Sequence, residues 1–321
     1  MKKEINKMPK VELHLHLDGS VSIKTLMKLS GLSKEEVIEK VVSKHHKNLG
    51  EYLKCFDFVD NLLQTKKALT MASRDLGKRL EKENVIYAEI RFAPISHIAL
   101  GLSLEEVVEA VLDGLKKCKV KTNLILCLRR GWSIKNNMEI IHLANKFLGK
   151  GVVAVDLVGN EDDYPFDEYE QLFRICKHAK IPVTIHAGET TKRDIKTVLY
   201  YTKRIGHGIK IVDDEDLINE TIRNNVLLEI CPNSNIDTRN ISDYSSHPIK
   251  RLYDKGVKVC INTDNMTVSD IDLNKEYFNL YKTFNFTIDD FKKMNLNAID
   301  GAFISEKEKE MLEKKIIDYN Y

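Results

Sequence analysis

The chain has 321 residues, more than one compact domain usually has but within the range that single barrel domains occupy. Fifty lysines and arginines stand against 48 aspartates and glutamates, and the net charge of +2 gives no strong field to attract nucleic acid or a membrane surface. The six cysteines include no C-x-x-C pair, which argues against a disulfide framework or a thiolate zinc site. We therefore expect a single domain over residues 1–321, with no nucleic-acid or membrane partner and no protein partner implied.

The amino-terminal residues, MKKEINKMPK, lead directly into charged and histidine-bearing sequence. A signal peptide would place an apolar run there, and no later segment is apolar enough to span a bilayer. We therefore expect a cytoplasmic protein whose cysteines are reduced and mostly buried.

Eight short apolar runs, several of them rich in β-branched residues, recur along the chain between longer amphipathic stretches. The expected strands are Val11–Leu17, Val85–Phe92, Leu124–Leu128, Val152–Val158, Ile181–Ile185, Arg204–Ile205 leading into Gly206, Val226–Ile230 and Val257–Ile261. This alternation predicts βαβ units, and eight of them predict an α/β fold of the closed (β/α)8 TIM-barrel type. A doubly wound open sheet is disfavoured because no glycine-rich phosphate turn follows the first strand.

Apolar residues that return at three and four positions predict helices between the strands. Examples are Leu104–Lys117, Asn136–Leu148, Asp167–Ala179 and Asp216–Asn224. The stretch Ser20–Glu83 is far longer than one crossover requires, so we expect a helical, lid-like insertion after the first strand. In a barrel such an insertion would lie over the active face. After Thr267 the sequence predicts extra C-terminal helices, including Glu306–Tyr319.

Residues able to bind a metal lie where the expected strands end, which in a barrel is the catalytic face. His14 and His16 alternate along the first strand, and the strand period of two points both side chains into the barrel mouth. His186 ends the fifth strand and Asp264 ends the eighth. Three imidazoles and one carboxylate form a donor set that suits one Zn²⁺ ion per chain.

Two further groups, Glu189 and His207, stand beside this set and are not needed as ligands. A carboxyl next to a metal-activated water can donate or accept a proton, and a free imidazole can hold or deprotonate that water. The alternative is a solvated loop acid at position 189 and a packed core histidine at position 207. Gly206 and Gly208 favour a functional role for His207, because flanking glycines let the backbone approach a ligand closely.

Seven segments give the sequence a family resemblance that runs nearly end to end. They are VELHLHLDGS at Val11–Ser20, YAEIRFAP at Tyr87–Pro94, VDLVGNE at Val155–Glu161, TIHAGE at Thr184–Glu189, RIGHG at Arg204–Gly208, LEICPNSN at Leu228–Asn235 and NTDN at Asn262–Asn265. With these segments the chain resembles the adenosine deaminases of the amidohydrolase superfamily. The resemblance implies zinc-dependent hydrolytic deamination of adenosine and 2′-deoxyadenosine to inosine and 2′-deoxyinosine plus ammonia, as part of purine salvage.

The resemblance also implies a role for each residue of the site. The implied zinc ligands are His14, His16, His186 and Asp264. Glu189 would protonate the purine ring and His207 would position the attacking water. The implied substrate contacts are His16, Asp18 through a ribose hydroxyl, the backbone amide of Gly159 beneath the purine, and Asn265. At position 265 the family pattern commonly has a second aspartate that contacts the purine N7, and an asparagine amide donates to N7 without needing to be protonated.

The substrate and the class of protein have alternatives. Relatives that act on adenine or on methylated AMP resemble the same pattern, but an ionised Asp18 would repel a phosphate, and free adenine would leave this carboxylate unpaired. A different metal-dependent hydrolase of the barrel type remains a second hypothesis. A non-catalytic barrel that binds purine nucleosides is a third, although a binder would not need metal donors, an acid and a water-positioning histidine together.

Other polar residues receive structural interpretations. Arg91, Arg129 and Arg130 follow strands and are expected to tie barrel loops together through carboxylates. Ser234 and Asn235 are left unassigned, because such residues occur in strand-end turns without any function. The histidines outside the motifs are expected to be packed or solvated; they are His45, His46, His97, His142, His178 and His247. Tyr52, Phe56 and Phe58 of the insertion are expected to pack among its helices rather than to wall the ribose pocket.

Overall fold

Eight parallel strands form two four-stranded sheets in the computed structural model, which describes residues 1–42, 52 and 55–320. The strands are β1 (Lys10–His16), β2 (Val85–Phe92), β3 (Lys121–Arg129), β4 (Val152–Val158), β5 (Ile185–Ala187), β6 (Arg204–His207), β7 (Leu227–Ile230) and β8 (Lys258–Ile261). Within each sheet every strand pairs with the next one in the chain. Two isolated bridges, Val155 with Val183 and Leu15 with Asp264, join the sheets at both seams. The ring is closed, and the predicted TIM-barrel class is confirmed.

Helices connect the strands in the order that βαβ units require. Up to β2 the α-helices are Lys2–Lys7, Ile23–Ser30, Lys34–Val41, Cys55–Leu62 and Lys66–Lys82. Between the later strands they are Leu104–Leu115, Ile134–Phe147, Glu170–His178, Ile195–Val198, Glu215–Arg223, Pro232–Asp237 and Ile249–Asp254, and after β8 they are Leu273–Phe284, Ile288–Gly301 and Glu306–Ile317. Short 3₁₀ helices span Asp18–Ser20, Pro94–His97, Phe166–Glu168, Ile209–Asp213 and Tyr244–Ser246.

The fifth strand differs most from its predicted position. The prediction of Ile181–Ile185 was wrong, since β5 is a short strand that begins at Ile185. Pro182 has no backbone N–H to donate to a ladder, so it interrupts regular pairing with β4. Its carbonyl still accepts from the Val155 amide at 3.0 Å, and Val183 forms only an isolated bridge. Residues 181–184 therefore run beside β4 but do not form part of β5.

Side-chain caps move several helix boundaries away from the predicted ones. The Ser133 side chain accepts from the Asn136 amide, so this helix begins at Ile134 rather than at residue 136. Asp214 caps the helix that begins at Glu215 in the same way. The helix predicted over residues 167–179 is divided into a 3₁₀ turn and an α-helix, and the last helix ends two residues before its predicted end.

The insertion between β1 and β2 carries helices in its described part, as predicted, while His45 and His46 lie outside the described residues. Its helix Cys55–Leu62 contributes Phe56, Asp57 and Asp60 to the wall of the cavity described below. After β8, the helix Ile288–Gly301 packs against β1, β7 and β8.

The six cysteines all lie within the described residues and all are free, as expected. In the same residues no helix is both long enough and apolar enough to cross a membrane.

A buried ionic network fills the centre of the barrel below the cavity. Arg91 of β2 pairs with Asp156 at 2.6 Å and with Glu229 at 2.7 Å. Arg204 of β6 pairs with the other oxygen of Glu229 at 2.7 Å and with Glu89. Although burial opposes ionisation, the two arginines hold the pKa of Glu229 well below its usual value. Each charge in this network is stable only while its partners are in place.

We expect Arg204→Met to lower the free energy of unfolding by about 3–5 kcal/mol, because it leaves Glu89 and part of Glu229 buried without a counter-charge. Chemical denaturation followed by circular dichroism measures this change. The control is Lys258→Met, which removes a cation from an exposed pair with Asp300 and should cost no more than about 1 kcal/mol. Equal losses in the two variants would contradict a dominant role for the buried network.

Candidate active site

One cavity opens at the carboxyl ends of the strands and is lined by most of the predicted site residues. The predicted residues in its wall are His16, Asp18, Gly159, His186, Glu189, His207, Asp264 and Asn265. His14 is fully buried beside them. Strand ends that are far apart in the chain thus meet at one face, which is the functional face of a parallel barrel.

The three predicted imidazole ligands lie together. One ring nitrogen from each of His14, His16 and His186 falls within 4.8 Å of the others, close enough for a single metal ion to be shared. Asp264 Oδ1 lies 3.5 Å from His14 Nε2 and 3.4 Å from His16 Nε2. His14 Nε2 is buried without a hydrogen-bond partner, so its lone pair is available to a ligand. The residues present therefore fit a metal ion.

Two carboxylates that the sequence analysis did not single out face the rear nitrogens of these histidines. Glu229 Oε2 accepts from His14 Nδ1 at 2.9 Å, which leaves His14 Nε2 as the unprotonated nitrogen. Asp156 Oδ2 lies 2.9 Å from His186 Nδ1. Such carboxylate partners orient metal-binding imidazoles and raise their basicity. The sequence did contain a signal for them, an acidic residue inside an otherwise apolar strand, since Asp156 lies within β4 and Glu229 within β7.

A second overlapping group includes a thiol that is poorly suited to bind a metal. His14, His207, Cys231 and Asp264 also place one ligand atom each within 4.8 Å of one another. Burial raises the pKa of the Cys231 thiol well above its usual value, and the thiol donates to the Glu229 carbonyl at 3.6 Å. A protonated thiol is not the ligand form of cysteine. The imidazole and carboxylate set is the better assignment.

Asp264 is held by both its backbone and its side chain. Its φ of 60° lies in the left-handed region, which is uncommon for a residue with a side chain and costs roughly 1–3 kcal/mol. Ser234 donates to Asp264 Oδ2 at 2.6 Å. Ser234, left unassigned from the sequence, thus orients a predicted ligand.

Glu189 lies in an environment that favours the protonated carboxyl. Burial raises its pKa above the usual value. Thr238 Oγ1 and Asn240 Nδ2 each lie 3.3 Å from its Oε1 as donors. Its Oε2 is 3.7 Å from His207 Nε2, so the predicted acid and the predicted water-positioning histidine face one another.

His207 is buried and strained at the end of β6. Its φ of 64° is left-handed, and its Nε2 lies 3.9 Å from Asp264 Oδ2. A Cβ on neighbouring Gly206 would come 3.0 Å from His14 Cε1 and 3.2 Å from His186 Nδ1. These contacts are tighter than most Cβ contacts, so a side chain at position 206 would have to displace the imidazoles by a few tenths of an ångström.

The predicted substrate-contacting residues lie around the rest of the cavity. Asp18 Oδ1 is buried without a partner, and burial raises the pKa of this carboxyl to about 6. Gly159 has a φ of 108°, which favours glycine. Asn265 lies against Gly19, where a Cβ would come within 1.8 Å of its Oδ1, so Gly19 is needed to seat the amide.

The arginines divide between two environments. Arg91 bonds carboxylates in the barrel centre, and Arg130 donates to the carbonyls of Tyr164 and His186, so both are structural. Arg129 lines the cavity while its guanidinium stacks over Trp132 and reaches Ser96. Tyr52 and Phe56 pack against one another, as expected, and both also line this cavity.

Comparisons with known proteins agree with this arrangement. The family model described as adenosine deaminase matches residues 9–319. An adenosine deaminase of Clostridium perfringens is 40% identical, with 97% of this chain and 98% of the relative covered. The enzyme of the same name from Enterococcus faecalis is 38% identical, with 97% of each chain covered.

Solved structures show the same fold. An N6-mAMP deaminase of Arabidopsis superimposes with a TM-score of 0.90 at 26% identity, covering 99% of this chain and all of the other. An adenine deaminase of Arthrobacter aurescens gives a TM-score of 0.87 at 25% identity, covering 97% and 98%. The family match spans nearly the whole chain, so this chain belongs to the adenosine deaminase family, and the prediction of a hydrolytic deaminase is confirmed.

Proposed function

We propose that this chain converts adenosine and 2′-deoxyadenosine to inosine and 2′-deoxyinosine with release of ammonia, and that it serves purine salvage. The observation that carries the proposal is the meeting, in one cavity, of a metal-competent donor set with a buried carboxyl and an imidazole. These are the groups that hydrolytic removal of a ring amine requires. The adenosine deaminases of Clostridium perfringens and Enterococcus faecalis support the nucleoside as substrate.

One zinc ion per chain is the proposed cofactor, held by His14, His16, His186 and Asp264. Neutral imidazoles and a carboxylate suit zinc, and the rear carboxylates Glu229 and Asp156 would orient two of the imidazoles. When bound, the ion supplies Lewis-acid activation of water at neutral pH.

The chain's own residues would direct the proton and the nucleophile. Glu189, whose pKa is raised by burial, donates a proton to the purine N1. This protonation removes electron density from C6 and prepares it for addition of water. His207, at the end of β6, orients that water toward C6. After addition, one proton of the water passes to the amino group, which leaves C6 as ammonia, and the other returns to Glu189. C6 keeps the oxygen as a carbonyl.

The outer part of the cavity would select the nucleoside. In this proposal Asp18 accepts a hydrogen bond from a ribose hydroxyl, while Gly159 lies beneath the purine. Asp57 lines the same cavity, so a substrate with a 5′-phosphate would meet additional negative charge there. Burial raises the pKa of the neighbouring Asp60 to about 8, which favours its neutral form. An Arabidopsis relative of 26% identity is described in complex with IMP, a nucleotide, and Asp18 and Asp57 are the residues that we expect to separate this chain from it. The helical insertion over residues 20–83 would cover this end of the single barrel domain.

We expect Glu189→Gln to reduce kcat for adenosine by about 10²- to 10⁴-fold, because glutamine keeps the shape but cannot protonate N1. Conversion of adenosine to inosine is followed by ultraviolet absorbance, and bound metal is counted by mass spectrometry. Glu109→Gln, on an exposed helix face, is the control and should leave kcat unchanged. A Glu189→Gln enzyme with full metal and full activity would refute the assignment of Glu189 as the acid.

We expect Asn265→Ala to weaken inosine by about 3- to 10-fold as a competitive inhibitor, which corresponds to one neutral hydrogen bond to N7. The matched ligand is 7-deazainosine, which has a carbon at that position and should bind the two proteins equally well. Both inhibition constants are measured at one pH and one metal content. Equal weakening of the two ligands would show that Asn265 has no contact with N7.

A further inference from the structure

We propose that a hydrogen-bond relay from the Ile249 amide through His247 and Asn235 fixes His207 as the tautomer that carries its proton on Nε2. In this state His207 can only donate a hydrogen bond to the attacking oxygen and cannot take a proton from it. The inference deepens the proposed function, on which its catalytic consequence rests. It makes Asn235 and His247 positioning residues, whereas the sequence analysis left Asn235 unassigned and expected His247 to be packed or solvated.

The relay begins at a helix start. The helix Ile249–Asp254 follows Pro248, and its first backbone N–H groups have no partner within the helix. The Ile249 amide donates to His247 Nδ1 at 3.1 Å. His247 Nδ1 must therefore be unprotonated. Burial lowers the pKa of His247 to about 3, so the ring is neutral and its single proton resides on Nε2.

The next step passes through the side-chain amide of Asn235. His247 Nε2 lies 3.2 Å from Asn235 Oδ1, and since this nitrogen carries the proton it donates to that oxygen. The other end of the amide, Nδ2, lies 3.0 Å from His207 Nδ1. A side-chain amide nitrogen can only donate hydrogen bonds, so His207 Nδ1 accepts one from Asn235 Nδ2. The proton of neutral His207 is then on Nε2.

The reverse orientation of the amide is excluded by the same contacts. If the oxygen and nitrogen of Asn235 were exchanged, the amide would donate to His247 Nε2. His247 would then need a lone pair on both ring nitrogens, because Ile249 already occupies Nδ1. A neutral imidazole has only one such nitrogen. The backbone amide of Ile249 therefore sets the direction of the whole relay.

The cavity end of His207 agrees with a donor. Its Nε2 lies 3.7 Å from Glu189 Oε2 and 3.9 Å from Asp264 Oδ2. The Asp264 pKa is held well below its usual value, so an N–H facing this carboxylate is attractive, whereas a lone pair there would be repelled. His207, Asn235 and His247 are all at most 3% exposed, so water does not compete for the relay.

The direct test is nitrogen NMR of the zinc-loaded protein with labelled histidine, because ring-nitrogen shifts separate the two neutral tautomers. The His207 signals are identified by comparison with His207→Asn. We expect the Nε2-protonated form in the wild-type protein. Asn235→Asp should reverse it, since a carboxylate accepts from both neighbouring rings and draws the His207 proton to Nδ1. We expect kcat to fall by about 10²- to 10⁴-fold, the scale for a catalytic histidine held in the wrong tautomer, with a smaller change in KM.

A matched pair at His247 separates positioning from packing, and it decides the matter if Asn235→Asp does not fold. His247→Gln keeps an N–H donor toward Asn235 and should retain the Nε2 tautomer and most of kcat. His247→Leu removes the donor, and we expect mixed tautomers and a lower kcat. A wild-type His207 protonated on Nδ1, or a reversed tautomer with unchanged kcat, would overturn the inference. The spectra do not depend on turnover, so a chain with the Nε2 tautomer that fails to deaminate adenosine would refute the proposed function alone.

Discussion

The ion pairs and hydrogen bonds of the buried Glu229 carboxylate are the interactions on which both the barrel and its site depend. One of its oxygens accepts hydrogen bonds from Arg91 and His14, and the other accepts from Arg204 and Thr184. Side chains from β1, β2, β6 and β7, and from the residue before β5, therefore meet at the Glu229 carboxylate, which has no access to water. Because such a charge is tolerated only when all its partners are present, the state that binds His14 correctly is also the state in which the barrel centre is correctly packed.

The same coupling explains why the cavity face can hold strained residues. His207 and Asp264 both have left-handed φ values, and each is fixed by a neighbour on the turn and helix that follow β7: Asn235 holds the imidazole, and Ser234 holds the carboxylate. Two adjacent residues thus orient the proposed water-positioning histidine and a proposed ligand. Strain at functional positions persists where the surrounding packing over-determines the geometry. Here the barrel centre below and the helix Pro232–Asp237 beside the cavity provide that constraint.

The sequence predicted most of the fold and the principal site residues because both leave local patterns. Apolar runs located the strands, and His14 with His16 could be placed on one face from the strand period alone. The predicted start of β5 was wrong because the effect of Pro182 on strand pairing depends on the neighbouring strand β4. Glu229, Asp156 and His247 could not be assigned, since each acts through a partner at least 12 residues away in the chain. Hydrogen-bond direction along a relay is visible only when every donor is located.

The central claim is that this cavity performs metal-dependent deamination of purine nucleosides. Ultraviolet absorbance of the purified protein with adenosine, 2′-deoxyadenosine, AMP and adenine, each with and without a strong chelator, tests it most directly. We expect conversion of the two nucleosides only, loss of that activity with chelator and recovery on addition of zinc. Absence of any change with adenosine, when bound metal has been verified, would contradict the claim.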